Sequence, residues 1–123
     1  MLVDSNIIIY ASLREHADLR KFIAAHAPAV SAVSYVEVLG YHALTAEEEA
    51  GFRQFFAVST LLPVDQDVLD QAVVLRRRYR MSLGDALVAA TALVHHLALV
   101  THNVDDFCRI EGLTVIDPLR RAP

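Results

Sequence analysis

Four carboxylates stand out in this 123-residue chain: Asp4, Glu37, Asp85 and Asp106. Asp4 follows the apolar opening MLV, Glu37 sits in AVSAVSYVEV, Asp106 comes shortly after LALVT, and Asp85 opens the run DALVAATALV. Burying an unpaired carboxylate is costly, so acids placed against such runs either cap helices or bind something. The two roles are compatible, because a helix N-terminus favours a carboxylate and holds it ionised. Several ionised carboxylates in one place repel each other, and a cation relieves that repulsion. Oxygen-only ligands select Mg2+ or Mn2+ over zinc or copper. Ions held this way serve in-line phosphodiester hydrolysis: they lower the pKa of a water and offset charge on the phosphoryl oxygens. Such chemistry needs no protein nucleophile.

The acids are far apart in sequence, so the elements between them must bring them together. MLV reads as a short strand, and SNIIIYASL has helical spacing with Asp4 as its N-cap. A helix over 16–26 is stopped by Pro28, and AVSA at 29–32 is a second strand. Helices follow from Ser34 (SYVEVLGYHAL) and through EEEAGFRQFFAV. TLLPV at 60–64 is a third strand. DQDVLDQAVVLRRRYR is a helix that begins acidic and ends basic, in keeping with the helix dipole. SLGDALVAATALVHH is a buried helix, LALVT a strand, NVDDFCRI a short helix and LTVID a last strand. This alternation predicts an α/β fold around a mostly parallel sheet of four to five strands. Sites in such sheets form at the carboxyl ends of the strands. Asp4, Glu37 and Asp106 each follow a strand, and a helix antiparallel to the strand it feeds begins at that same edge, which brings in Asp85. All four acids are therefore expected at one edge. Ser34-x-x-Glu37, Ser82-x-x-Asp85 and Asn103-x-x-Asp106 also have the spacing of capping boxes.

The length suits one domain with its own core. No apolar run reaches the length of a membrane span, and no charged segment leads into a cleavage site. The single cysteine, Cys108, excludes an internal disulfide framework, reads as a small buried residue and fits a reducing cytoplasm. A net charge of −4 argues against nucleic-acid binding through overall charge, yet Arg76, Arg77, Arg78 and Arg80 crowd into RRRYR. These arginines complement a helix C-terminus, and their forked, permanently charged ends also suit phosphate or an acidic partner. His95, His96 and His102 match no zinc spacing. Phe52, Phe55 and Phe56 read as core or as dimer surface.

The stretches LVDSNIIIY, SAVSYVEVLGY, LRRRYRMSLGDALVAATAL and LVTHNVDDF, in this order and spacing, resemble the PIN-domain ribonucleases, in particular the VapC toxins of toxin–antitoxin pairs. The resemblance implies a three-layer α/β/α sandwich filling residues 1–123 as one domain. It implies a cytoplasmic, homodimeric, Mg2+- or Mn2+-dependent endoribonuclease acting on RNA, and a VapB-like antitoxin whose tail enters the acidic cleft. By position, Asp4, Glu37 and Asp85 match the acids the family shares. The fourth place falls at Asn103 or Asp106; Asp106 is preferred, with Asn103 as a neutral ligand or organiser. Ser5 stands where threonine is more usual, and its hydroxyl is expected on Asp4 or a water; Asn6 and Thr101 are expected to support the site. Gly84 stands where proline is frequent. A receiver-like Mg2+-binding module would want a phosphate-pairing lysine after a late strand, and the lone lysine, Lys21, lies in an early helix. A catalytically silent PIN fold acting through protein contacts is the other reading, although every expected acid is present.

Overall fold

The central strand is short and entirely apolar. Leu2 and Val3 form β1, and both are fully buried. Successive strand residues point to opposite faces of a sheet, so burial of both requires cover on both sides. The computed structural model, which describes residues 1–119, supplies that cover. Leu2 packs with Val68, Leu75, Ala86, Ala89, Leu99 and Phe107, while Val3 packs with Ile7, Leu19, Val30, Val38, Phe56 and Val100. Two apolar cores on opposite faces of one sheet make the expected sandwich.

Along the chain come α1 (Ser5–Ala11), α2 (Ala17–His26), β2 (Ala29–Ser31), α3 (Ala32–Leu39), α4 (Ala46–Val58) and β3 (Leu61–Leu62). They are followed by α5 (Gln66–Arg78), α6 (Leu83–Val94), β4 (Leu99–Val100), α7 (Val104–Phe107) and β5 (Val115–Ile116). The five strands are ordered β3-β2-β1-β4-β5 and all pairings are parallel. Val3 is in register with Val30 on one side and Val100 on the other. The Val3 face is covered by α1 to α4, and the Leu2 face by α5, α6 and α7. Four fully buried alanines, Ala86, Ala89, Ala90 and Ala92, leave α6 slim enough to lie close against α5 and the sheet.

Helix starts follow local side-chain chemistry. Asp4, Ser31, Thr45, Asp65 and Ser82 each accept a main-chain N–H from the turn they open. Thr45 and Glu48 complete a reciprocal capping box that the sequence pattern did not single out. Ser34 is not a cap: α3 begins at Ala32, Ser31 Oγ accepts from Val33 N at 3.1 Å, and Ser34 is buried inside the helix. The second strand accordingly ends at Ser31, and β3, β4 and β5 keep only two residues each. Helix α2 closes on Ala27 in the left-handed region (φ 43°), directly before Pro28. Cys108, expected to be buried, is exposed one residue beyond α7. Among the described residues no helix is long and apolar enough to cross a membrane.

Candidate active site

Asp4 terminates β1 and opens α1. Its main-chain N–H donates to Val100 O at 3.1 Å, which fixes it against β4. Its carboxylate is only 6% exposed, yet both oxygens are occupied: Oδ1 accepts from Ile7 N at 3.0 Å and Oδ2 from the Thr101 hydroxyl at 2.5 Å. Burial pushes the Asp4 pKa up. The hydrogen bonds from Thr101, Ile7 and the Asn6 main chain pull it down by less, and the charge of Glu37 pushes it further up. The helix start thus acts as expected on Asp4, but desolvation outweighs it.

Thr101 ties the loop after β4 to this carboxylate. Fully buried, it donates to Asp4 and accepts the main-chain N–H of Asn103 at 3.0 Å. That bond leads into α7, whose first turn carries Asp106 on the surface. Asn103 does not cap α7 with its side chain, so the capping box expected between Asn103 and Asp106 does not form; only main-chain Asp106 N reaches Asn103 O, at 3.1 Å. The box expected at Ser82 does form on one side, with Asp85 N donating to Ser82 Oγ at 3.1 Å.

Asp85 shows that the acids share one neighbourhood. Its pKa is pushed up first by burial and then by the charge of Asp106, with smaller upward contributions from Asp4 and Glu37; the Ser82 hydroxyl opposes them. The end of β1, the second turn of α3 and the first turns of α6 and α7 therefore bring their acids within electrostatic range of Asp85. Among the described residues no three His, Cys, Asp or Glu side chains are grouped closely enough to hold a metal ion.

Glu37 is exposed, and its position is set by contacts rather than by burial. Ser5 Oγ lies 2.7 Å from Glu37 Oε1 and 3.0 Å from Ser34 Oγ. The Ser5 hydroxyl thus serves Glu37, not Asp4. On the other side, a Cβ added at Gly84 would stand 3.1 Å from Glu37 Oε2. The absent side chain at Gly84 is what lets the carboxylate rest against the start of α6.

Arg76, Arg77, Arg78 and Arg80 are exposed, and Arg78 pairs with Glu111 at 2.9 Å. Among the described residues none of them pairs with the four acids. A groove of about 560 Å3 lies elsewhere, lined by Ile8, Leu13, Ile23, Phe52 and Phe55 with Arg20 and Glu47 at its rim.

A model of the PIN domain matches residues 1–113 of the chain. The chain belongs to the PIN-domain family. This excludes the receiver-like reading. PIN-domain nucleases as a family depend on divalent metal ions. The PIN domain is 36% identical over 122 residues to Ribonuclease VapC10 of Mycobacterium tuberculosis, covering 92% of this chain and 90% of that protein. It is 42% identical over 62 residues to Ribonuclease VapC1 of Rickettsia felis, which covers 46% of each. Among solved structures it resembles a toxin–antitoxin complex from Klebsiella pneumoniae (TM-score 0.77, 31% identity, 95% and 96% of the two chains). The fold is also shared with DNA-bound VapBC from Salmonella typhimurium (TM-score 0.82, 20% identity, 95% and 96%).

Two consequences can be measured without substrate or added divalent ion. Because the folded Asp4 holds its proton more tightly than an unfolded aspartate, its contribution to stability declines as pH rises from about 4 through its raised pKa. Asp4→Asn keeps a good cap and removes that penalty. The stability of the variant relative to wild type, from urea unfolding, is expected to increase between about pH 4 and pH 7; a flat or falling difference would contradict the assignment. Gly84→Ala should gain up to about 1 kcal/mol of helix propensity only when Glu37 is also replaced by Ala, and little or nothing beside native Glu37. A double-mutant cycle in urea reads the difference directly.

Proposed function

We propose that this chain is a single PIN domain acting as a VapC-type endoribonuclease, hydrolysing RNA phosphodiester bonds with Mg2+ or Mn2+ held by Asp4, Glu37, Asp85 and Asp106. The observation that carries this reading is that Ser5, next to Asp4, holds Glu37 at 2.7 Å and Glu37 lies against Gly84, next to Asp85, where the charges of Asp106, Asp4 and Glu37 add to burial in raising the Asp85 pKa. Repulsion of that kind is what a divalent cation relieves. The donor set consists of oxygens alone, which suits Mg2+ or Mn2+; Mg2+ keeps several waters and takes one or two carboxylates plus substrate phosphates. When bound, the ion would supply a water of lowered pKa and offset the charge on the phosphoryl oxygens.

The chain's own residues prepare that place. Thr101 and the α1 N–H groups fix both oxygens of Asp4, so its orientation costs nothing at the moment of reaction. Ser5 and the gap at Gly84 aim Glu37 from α3. Asn103, anchored through Thr101, stands beside Asp106 as an organiser or a neutral ligand. Purified protein with total RNA and Mg2+ or Mn2+ should yield discrete new 5′ ends. Asp4→Asn should cut the rate on the order of 100-fold or more while the fold stays intact. Wild-type-like cleavage by that variant would overturn the assignment.

The partners follow the same reading: a VapB-like antitoxin, and a second copy of the chain. No helix among the described residues suits a membrane, and the exposed Cys108 thiol suits a reducing cytoplasm. We place the homodimer contact on α5. Leu69, Val73 and Val74 are 44%, 51% and 53% exposed in its middle, between acidic Asp67 and Asp70 and basic Arg76 and Arg77. Two such helices packed antiparallel about a two-fold axis would bury the apolar centre and set each basic end against an acidic start. Light scattering should report a dimer for wild type and a monomer for Val73→Arg; a Val73→Arg dimer would move the contact elsewhere.

A further inference from the structure

We infer that Tyr79, Arg80 and Arg109 form a built rim beside the acidic edge that grips RNA phosphates flanking the cleaved bond. The inference rests on the endoribonuclease reading and adds a site to it. Tyr79 ends α5 in an extended conformation and is partly buried. Its hydroxyl accepts the main-chain N–H of Glu111 at 3.1 Å. Two guanidinium groups lie on its ring, that of Arg78 at 5.5 Å from the centroid and that of Arg109 at 5.9 Å. Arg109 also donates to the main-chain carbonyl of Arg80, and Arg78 is neutralised by Glu111 at 2.9 Å. The turn between α5 and α6 is thereby clasped to the segment after α7.

Each arm of this clasp leads along the chain to one of the acids. Arg80 is five residues before Asp85, Arg109 is three after Asp106, and the Arg109 bond to the Arg80 carbonyl joins the two segments. Among the described residues Arg80 and Arg109 have no carboxylate partner, so their charge is free for a ligand. An acidic centre in a chain of net charge −4 repels a polyanion unless cations stand next to it. Guanidinium forks suit phosphate, and phosphate contacts supply most of the affinity for nucleic acid. A peptide that enters an acidic cleft would itself be cationic, and this rim would repel it; the rim therefore favours RNA over an antitoxin. Tyr79 is a positioning residue whose ring holds Arg109 in place. Arg76 and Arg77, one turn back on α5, are left for the dimer contact.

The test is binding of a labelled single-stranded RNA to the full-length Asp4→Asn protein, followed by fluorescence anisotropy across a salt series. Arg80→Gln and Arg109→Gln should each weaken binding about threefold to tenfold at low salt and flatten the slope of log K against log salt by about 0.7. Arg109→Lys should keep the slope. Tyr79→Phe should bind like the parent, and Tyr79→Leu like Arg109→Gln. Lys21→Gln, in α2, should change nothing, and urea midpoints show which variants are folded. Unchanged affinity and slope in the folded Arg80→Gln/Arg109→Gln double variant would overturn the rim while leaving the nuclease reading intact. Loss of antitoxin affinity in place of RNA affinity would also overturn it. Failure of wild type to cleave any RNA with Mg2+ or Mn2+ would overturn the nuclease reading itself, whatever the rim binds.

Discussion

The carboxylate of Asp4 is buried where the first strand becomes the first helix, and the geometry of the edge follows from the need to satisfy it. A buried carboxylate without donors would be prohibitively costly. Here the donors come from two directions: α1 supplies N–H groups from its first turn, and β4 supplies the Thr101 hydroxyl. That second bond spans 97 residues of sequence and makes the end of β4 part of the site. Thr101 in turn receives the Asn103 N–H, which sets where α7 starts and thus where Asp106 stands. One buried acid therefore fixes the relation of the first and fourth strands and of the helices that follow them.

The acids are held in two different ways, and the difference has a physical cause. Asp4 directly follows the central strand, where both faces of the sheet are covered, so it is fixed by hydrogen bonds inside the protein. Its burial raises its pKa, as does the half-burial of Asp85. Glu37 reaches the edge from the outside of α3 and is exposed to water. What it lacks is a fixed direction, which the Ser5 hydroxyl provides, while the missing side chain at Gly84 leaves room for it. A cation arriving at this edge would meet one rigid, desolvated carboxylate and one hydrated carboxylate that is aimed but able to adjust.

Much of this was legible from the residues alone. Apolar runs alternating with helical periods specify a parallel α/β sheet, and strand-end placement gathers Asp4, Glu37, Asp85 and Asp106 on one edge. What local pattern could not reveal depended on tertiary partners. The spacing Ser34-x-x-Glu37 imitates a capping box, but Ser31 takes the cap because β2 ends one residue sooner and its hydroxyl reaches Val33 N. Ser5 sits next to Asp4 in sequence, which suggests Asp4 as its partner; α1 geometry turns its hydroxyl toward α3 instead. Arg109 looks like an isolated surface cation until Tyr79, thirty residues earlier in the chain, is found under it. Cys108 illustrates the same limit, since a short helix of four residues buries one face only, and Phe107 occupies it.

The distribution of charge along α5 and α6 deserves a physical account beyond helix dipoles. Dipole complementation explains why α5 begins with Asp65 and Asp67 and ends with arginines. It does not explain why the run continues past the helix end to Arg80, or why Arg109 is drawn to the same spot across the fold. Gathering like charges is unfavourable unless something offsets it. Among the described residues Arg78 is the one of these that pairs with an acid, Glu111, while Arg109 lies over the ring of Tyr79 and the rest face solvent. The same tension exists a few residues along the chain, where Asp106, Asp4 and Glu37 add to burial in pushing up the Asp85 pKa. Among the described residues these two accumulations of opposite sign, neighbours along the chain, are not joined by direct ion pairs. Adjacent centres of this kind are each relieved by one ligand class: cations at the acids and phosphates at the arginines. A metal-assisted phosphodiester substrate brings both at once.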